Sequence, residues 1–76
     1  MKKAIYSPEH QYLAAQLRKA RIEAGLDQTK AAKVLKRTQS YISKIEAGQR
    51  RIDIFQLNEF ARMYKKKLTF FIKNKD

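Results

Sequence analysis

The sequence predicts an all-α fold in which residues 1–76 form one compact domain. Apolar residues recur at spacings of three and four, which is the period of a helix with one buried face. Capping residues stand before these periodic stretches, whereas the helix-interrupting residues Gly and Pro number only two and one. A chain of this length buries about 60% of its surface on folding, so we expect a small core.

Capping residues predict the first two helices. Ser7 followed by Pro8 is typical of an N-cap and a first helical position, and Leu and Ala at helical spacing extend the helix over about residues 8–24. Asp27 is the next capping residue. It opens a short helix, about residues 28–35, that keeps its alanines and leucine on one face and its lysines on another.

The third and fourth helices are predicted in the same way. Thr38 caps a helix over about residues 38–47, and a glycine follows it as a stop. Asp53 with Gln56 three residues later forms a capping-box pattern, and apolar residues at helical spacing continue over about residues 53–64. The loops that join these helices are short.

The fifth element is the apolar stretch at residues 68–72, which lies between lysines. Its Leu, Thr, Phe and Ile residues are typical of strands. Four or five residues are also enough for a short helix. We therefore expect a short helix or a strand here, and the composition does not decide between them.

The charge of the chain indicates a polyanionic partner. Lys and Arg number 18 against 7 Asp and Glu, which gives a formal net charge of +11. Residues 28–51 and residues 62–75 hold most of the excess, while Asp53 and Glu59 lie between these two basic stretches. One such cluster alone would also fit a solvated surface. Two clusters on so small a chain favour binding to nucleic acid.

The composition argues against several classes of function. There is no Cys, so the chain has no disulfide and no thiolate metal ligand, as expected for the cytoplasm. One His and no acidic cluster predict no catalytic pair, metal, cofactor or small-molecule ligand, and hence no enzyme. The basic start Met1–Lys3 lacks the apolar stretch of an export signal, so we expect neither export nor a membrane association.

The third predicted helix has an outward face suited to reading DNA bases. At 100° per residue, Ile42 and Ile45 share the buried side. The outward arc then holds short polar residues, one cation and no acid: Gln39, Ser40, Ser43, Lys44 and Ala47. Gln can pair with an adenine edge, Ser can donate or accept, and Lys can contact guanine or a phosphate. A merely solvated helix face is more often rich in Glu and Lys.

Two helices joined by a tight turn, the second of them carrying this polar face, form a helix-turn-helix arrangement. The chain also resembles the Cro/C1-type (XRE) helix-turn-helix family over about residues 7–72. The residues that carry the resemblance are 25–28, Ala32, Leu35, 39–48 and 53–64. The resemblance implies a five-helix, lambda-repressor-like domain that binds double-stranded DNA, usually as a dimer, with the third helix in the major groove.

The resemblance also implies roles for individual residues. The base-reading positions are Gln39, Ser40, Ser43 and Lys44. The positions expected at the DNA backbone are Gln28, Arg37, Thr38, Gln49, Arg50 and Arg51, with plain surface exposure as the alternative for Arg37. Arg21 and Glu46 fall where some members of the family have a partly buried ion pair. Two solvated surface charges are the alternative for this pair.

The turn before the third helix departs from the family pattern. Members usually have Gly and then a small apolar residue there, whereas this chain has Lys36 and Arg37. A left-handed backbone at Lys36 would cost strain that Gly avoids. Ala31 replaces a more usual Leu, which predicts a thinner core beneath the second helix.

The apolar C-terminal stretch predicts a homodimer. Leu68, Phe70, Phe71 and Ile72 exceed what one small core needs, so we expect part of this segment to be buried against a second copy. The alternative is that the segment closes the core of one chain. A two-fold dimer would read half-sites about 34 Å apart in an inverted repeat.

These observations favour a sequence-specific transcriptional regulator, most simply a repressor that blocks a promoter. An antitoxin that neutralises a toxin partner and represses its own operon is the alternative. A nonspecific nucleoid or RNA-binding protein would explain the charge but not the polar face of the third helix. An enzyme is the weakest of the four hypotheses.

Overall fold

A computed structural model describes residues 7–73 of the chain. Its elements are α1 (Pro8–Glu23), α2 (Gln28–Leu35), α3 (Gln39–Glu46), α4 (Ile54–Tyr64) and a 3-10 helix, Leu68–Phe71. Within the described residues every regular element is helical, so the prediction of an all-α fold is confirmed. The predicted ends of the elements lie within about one residue of the observed ones.

Of the two structures predicted for residues 68–72, a short helix or a strand, the segment forms the short helix, as one turn of 3-10 helix and not as a fifth α-helix. No other strand lies within residues 7–73 to pair with it, and an unpaired strand would leave its backbone groups without partners. Side chains of α1 and the preceding turn hold the segment: the Gln16 amide donates to the Phe70 carbonyl at 3.0 Å, and Lys66 Nζ lies 4.6 Å from the centre of the Phe70 ring.

The start of each α-helix is fixed by a side chain. Ser7, Asp27, Thr38 and Asp53 each accept a hydrogen bond from the backbone N–H three residues later. The Gln56 side chain also accepts from the Asp53 backbone N–H at 2.9 Å, which completes the predicted capping box. Such caps contribute about 1 kcal/mol each, so local sequence determines where these short helices begin.

Two lysines end helices in the left-handed region. Lys36 closes α2 with φ 58°, and Lys65 closes α4 with φ 59°. A side chain with a Cβ is strained in this region, where Gly is not. The strain expected at Lys36 from the sequence is therefore present.

The core lies where α1, α3, α4 and the 3-10 helix meet. Leu17, Ile42, Phe60 and Phe71 are almost completely buried and come from these four elements in turn. Tyr41 stacks on Phe60 with ring centres 6.1 Å apart. α3 packs on α1 and α2, while its residues Gln39, Ser40 and Lys44 remain exposed. No helix in the described range 7–73 combines the length and apolarity that crossing a membrane requires.

Candidate nucleic-acid interface

The solvent-exposed side of α3 is the surface that the sequence predicts to read DNA bases. Gln39, Ser40 and Lys44 are exposed, and Ser43 is half-buried. The opposite side of the helix is anchored by Tyr41, Ile42 and Ile45, which are at most 8% exposed. The helix is therefore fixed by one face and presents short polar side chains on the other.

A buried ion pair holds α3 against α1. Arg21 Nε lies 2.7 Å from Glu46 Oε2, and Arg21 Nη2 donates to Glu46 Oε1 at 3.1 Å. The third donor, Arg21 Nη1, binds the Leu26 carbonyl at 2.9 Å. The hydrogen bonds to Glu46 raise the pKa of Arg21 above its usual range. Removing either partner of such a pair would leave a buried charge unpaired.

Two glutamines extend this ion pair to the protein surface. Gln28, at the start of α2, donates from its side-chain amide to Glu46 Oε1 at 3.1 Å. Gln39, at the start of α3, donates to Gln28 Oε1 at 2.7 Å. An ordered chain of hydrogen bonds thus runs from the buried Arg21 to the exposed amide of Gln39. Gln28 fixes the direction of the Gln39 amide, a role that the sequence did not indicate.

On the other flank of α3, two arginines pack on one tyrosine. The guanidinium carbon of Arg37 lies 5.2 Å from the centre of the Tyr41 ring, and that of Arg50 lies 5.0 Å from it. Arg37 also has Nη2 3.6 Å from Glu59 Oε1. Both side chains of this ion pair are about half exposed, so it contributes little stability. The spacing of Tyr41 indicates a core position, and nothing in the sequence indicates that two arginines pack on its ring.

The remaining residues expected at the DNA backbone surround α3. Thr38 Oγ1 accepts from the Tyr41 backbone N–H at 3.1 Å, so its oxygen is used as a cap. Gln49 is tied by its backbone N–H to the Lys44 carbonyl at 2.9 Å, which places the following arginines just beyond α3. Gln49, Arg50 and Arg51 are all exposed.

The residues expected at a dimer interface do not share one environment. Phe71 is only 1% exposed and closes the core of its own chain, which corrects its assignment to a dimer surface. Leu68 and Phe70 are half-buried against the same core. Ile72 is 55% exposed. The single-chain alternative therefore accounts for Phe71 but leaves Ile72 without apolar cover.

Comparisons with known proteins agree with this geometry. A family model described as a helix-turn-helix domain matches residues 12–65. Among solved structures, the restriction-modification controller protein C.AhdI from Aeromonas hydrophila is similar, with a TM-score of 0.73 and 23% sequence identity; the match covers 79% of this chain and 87% of that one. No curated protein sequence matches the chain. The chain belongs to the helix-turn-helix domain family.

Proposed function

We propose that the protein is a sequence-specific transcriptional regulator that places α3 in the major groove of double-stranded DNA. The observation that carries this proposal is the outward face of α3, which is polar and free of acidic residues while the opposite face is anchored in the core. The major groove admits one α-helix, and short polar side chains can reach base edges there. The formal net charge of +11 attracts the duplex over a distance.

Gln39 is the principal base-reading residue in this proposal. Its amide is directed by Gln28, which is itself fixed by Glu46. A side chain that is already ordered loses less conformational entropy on binding. Ser40 and Ser43 lie beside it on the same face of α3 and complete the reading surface.

The backbone contacts position this helix without reading sequence. Gln28 and the N-terminus of α2 meet one phosphate strand, since free N–H groups at a helix start favour an anion. Exposed residues after α3, Gln49 to Arg51, contact the backbone as well.

We also propose that the regulator acts as a homodimer, through a surface different in part from the one the sequence predicts. Leu57 and Ile72 line one open apolar groove. Ile54 precedes Leu57 by one helical turn and is 53% exposed, and the adjacent Phe55 is 80% exposed. A second copy of the chain would cover the exposed side chains Ile54, Phe55 and Ile72. The resulting pair of α3 helices would read an inverted repeat, and a dimer bound over a promoter would act as a repressor.

The direct test is a titration of the purified protein against DNA from upstream of its own gene. A shuffled duplex of the same composition is the control, and both are measured at two salt concentrations. The similar structure is that of a restriction-modification controller protein. The DNA upstream of any nearby restriction-modification genes would therefore be tested as well. We expect a preference of about 10³-fold or more for the true site. Equal binding to both duplexes, lost together as salt rises, would contradict sequence-specific reading.

A further inference from the structure

We propose that a basic depression beside α3 is a binding site for a phosphodiester of the DNA backbone, and that Lys44 acts in this site rather than in base reading. The inference rests on the proposed function and adds to it a contact with the second phosphate strand of the duplex. The depression has a volume of about 400 Å³. Its polar lining is formed by Lys36, Arg37, Thr38, Ser40, Lys44 and Arg50.

The fold builds this site from three separate segments. The left-handed turn at Lys36 brings Lys36 and Arg37 to one side, α3 contributes Lys44, and the loop after α3 contributes Arg50. Tyr41 forms the floor, because it is 8% exposed and both guanidinium groups lie within about 5 Å of its ring centre. Cation–π contacts of this kind hold the two arginines in place. The site is thus organised before a ligand arrives.

The electrostatics of the site favour an anion. Four cationic side chains line the depression, and none of the described residues that line it is acidic. Glu59 approaches Arg37 at 3.6 Å from outside, but both groups are half exposed and the pair is easily exchanged for another anion. Two guanidinium groups, two ammonium groups and hydroxyls match the several oxygens of a phosphate.

The position of the site on α3 identifies the phosphate as one in DNA. Residues four apart lie on one ridge of a helix, so Gln39 and Ser43 form one ridge, and Ser40 and Lys44 form the next. The first ridge borders Gln28, to which Gln39 is bonded. The second borders the depression. A helix in the major groove has a phosphate strand on either side, and Gln28 and the depression are placed to contact one strand each.

The test compares single neutralising variants, Arg37→Gln, Arg50→Gln and Lys44→Gln, in the full chain. All three side chains are exposed, so circular dichroism is expected to show unchanged folding. Lys19→Gln is the matched control, since it removes one exposed charge from α1 and does not line the site. We expect each site variant to weaken binding to the specific and the shuffled duplex alike, by roughly tenfold, and to lower the salt slope by about one. The control should leave affinity and slope near those of the unaltered protein.

Two results would overturn the inference while leaving the proposed function intact. One is a loss confined to the specific duplex in Lys44→Gln, which would make Lys44 a base-reading residue. The other is unchanged binding in all three site variants when Gln39→Ala still loses specific binding. If the unaltered protein binds neither duplex, the proposed function fails, and inorganic phosphate becomes the probe. Shifts of the Ser40 and Tyr41 amides in ¹⁵N NMR that Arg37→Gln removes would then support a phosphate site, and their absence would overturn it.

Discussion

At the scale of single residues, the orientation of the exposed Gln39 amide depends on a buried ion pair. Arg21 and Glu46 form an ion pair whose side chains are 11% and 5% exposed. Gln28 donates a hydrogen bond to Glu46 and accepts one from Gln39, which orients the Gln39 amide. Isolated surface glutamines sample several rotamers, and fixing one costs entropy on binding. Here folding has already fixed it. Disturbing Gln28 is therefore expected to affect base reading as well as the phosphate contact.

Gln39 and Arg51 separate base reading from backbone attraction. Gln39→Ala is expected to cost about 1–3 kcal/mol on the specific duplex and little on shuffled DNA, because it removes the proposed contact to a base edge. Arg51→Ala is expected to weaken both complexes alike and to flatten the salt dependence. Fluorescence anisotropy titrations at two salt concentrations measure both effects. Equal losses for the two variants on both duplexes would contradict the assignment of Gln39 to base reading.

The buried hydroxyl of Tyr64 predicts that the folded state loses stability at alkaline pH. Its hydroxyl is buried and has no hydrogen-bond partner among residues 7–73, and burial raises the pKa of Tyr64 above its ordinary value of 10.0. The unfolded chain therefore loses this proton at a lower pH than the folded chain does. The stabilising contribution is complete below pH 10 and is lost as the pH rises above it.

Tyr64→Phe tests this argument. The variant should match or slightly exceed the stability of the unaltered protein at pH 7, because a buried hydroxyl without a partner is unfavourable. Above pH 10 it should lose stability less steeply. Urea unfolding at pH 7 and at several values above 10 measures both. Parallel pH curves for the two proteins would show that the hydroxyl does not titrate differently in the folded state.

At the scale of helices and turns, the predictable features are those that local sequence controls. The N-caps at Ser7, Asp27, Thr38 and Asp53 each act within four residues, so the helix starts could be read from the chain. The contact between Gln28 and Gln39, and the packing of Arg37 and Arg50 on Tyr41, depend on how α2, α3 and the next loop are oriented. Spacing along one helix does not contain that orientation. The sequence left helix or strand open at 68–72 for a related reason, since the packing of Phe71 into the core depends on how the other helices are arranged.

Glycine substitutions at the two lysines with positive φ, Lys36 and Lys65, test whether the backbone is strained at these turns. Lys65→Gly is expected to stabilise the fold by about 0.5–1 kcal/mol, because glycine relieves the strain at φ 59° and this exceeds its entropic cost in the unfolded chain. Lys36→Gly should give a similar gain but weaken DNA binding, since Lys36 lines the basic depression. Thermal and urea unfolding measure the gain.

Gly25→Ala is the matched control for these turns. Gly25 has φ +76° with nothing within 4 Å of an added Cβ, so any cost comes from the backbone alone. We expect a loss of about 1 kcal/mol. A gain in Gly25→Ala, or a loss in Lys65→Gly, would mean that backbone strain does not dominate at these turns.

At the scale of the whole molecule, charge and apolar surface act in opposite directions on assembly. A formal net charge of +11 makes two copies repel each other. The exposed apolar side chains assigned to the proposed dimer surface, Ile54, Phe55 and Ile72, favour their association. Salt screens the repulsion and also competes with DNA phosphates. Raising the salt concentration should therefore strengthen the proposed dimer and weaken its complex with DNA.

Sedimentation of the free protein at low and high salt tests the dimer directly. Ile72→Lys and Phe55→Lys each place a charge in the apolar surface and are expected to shift the protein to monomer at concentrations where the unaltered chain is a dimer. Val34→Lys is the matched control, because Val34 is 59% exposed but lies on α2 and does not line the groove of Leu57 and Ile72. Both monomeric variants should then bind a single half-site with nearly unchanged affinity while losing the gain in affinity that an inverted repeat provides. A dimer that survives both substitutions, or one that Val34→Lys disrupts instead, would move the interface to another face and change the half-site spacing that two α3 helices can span.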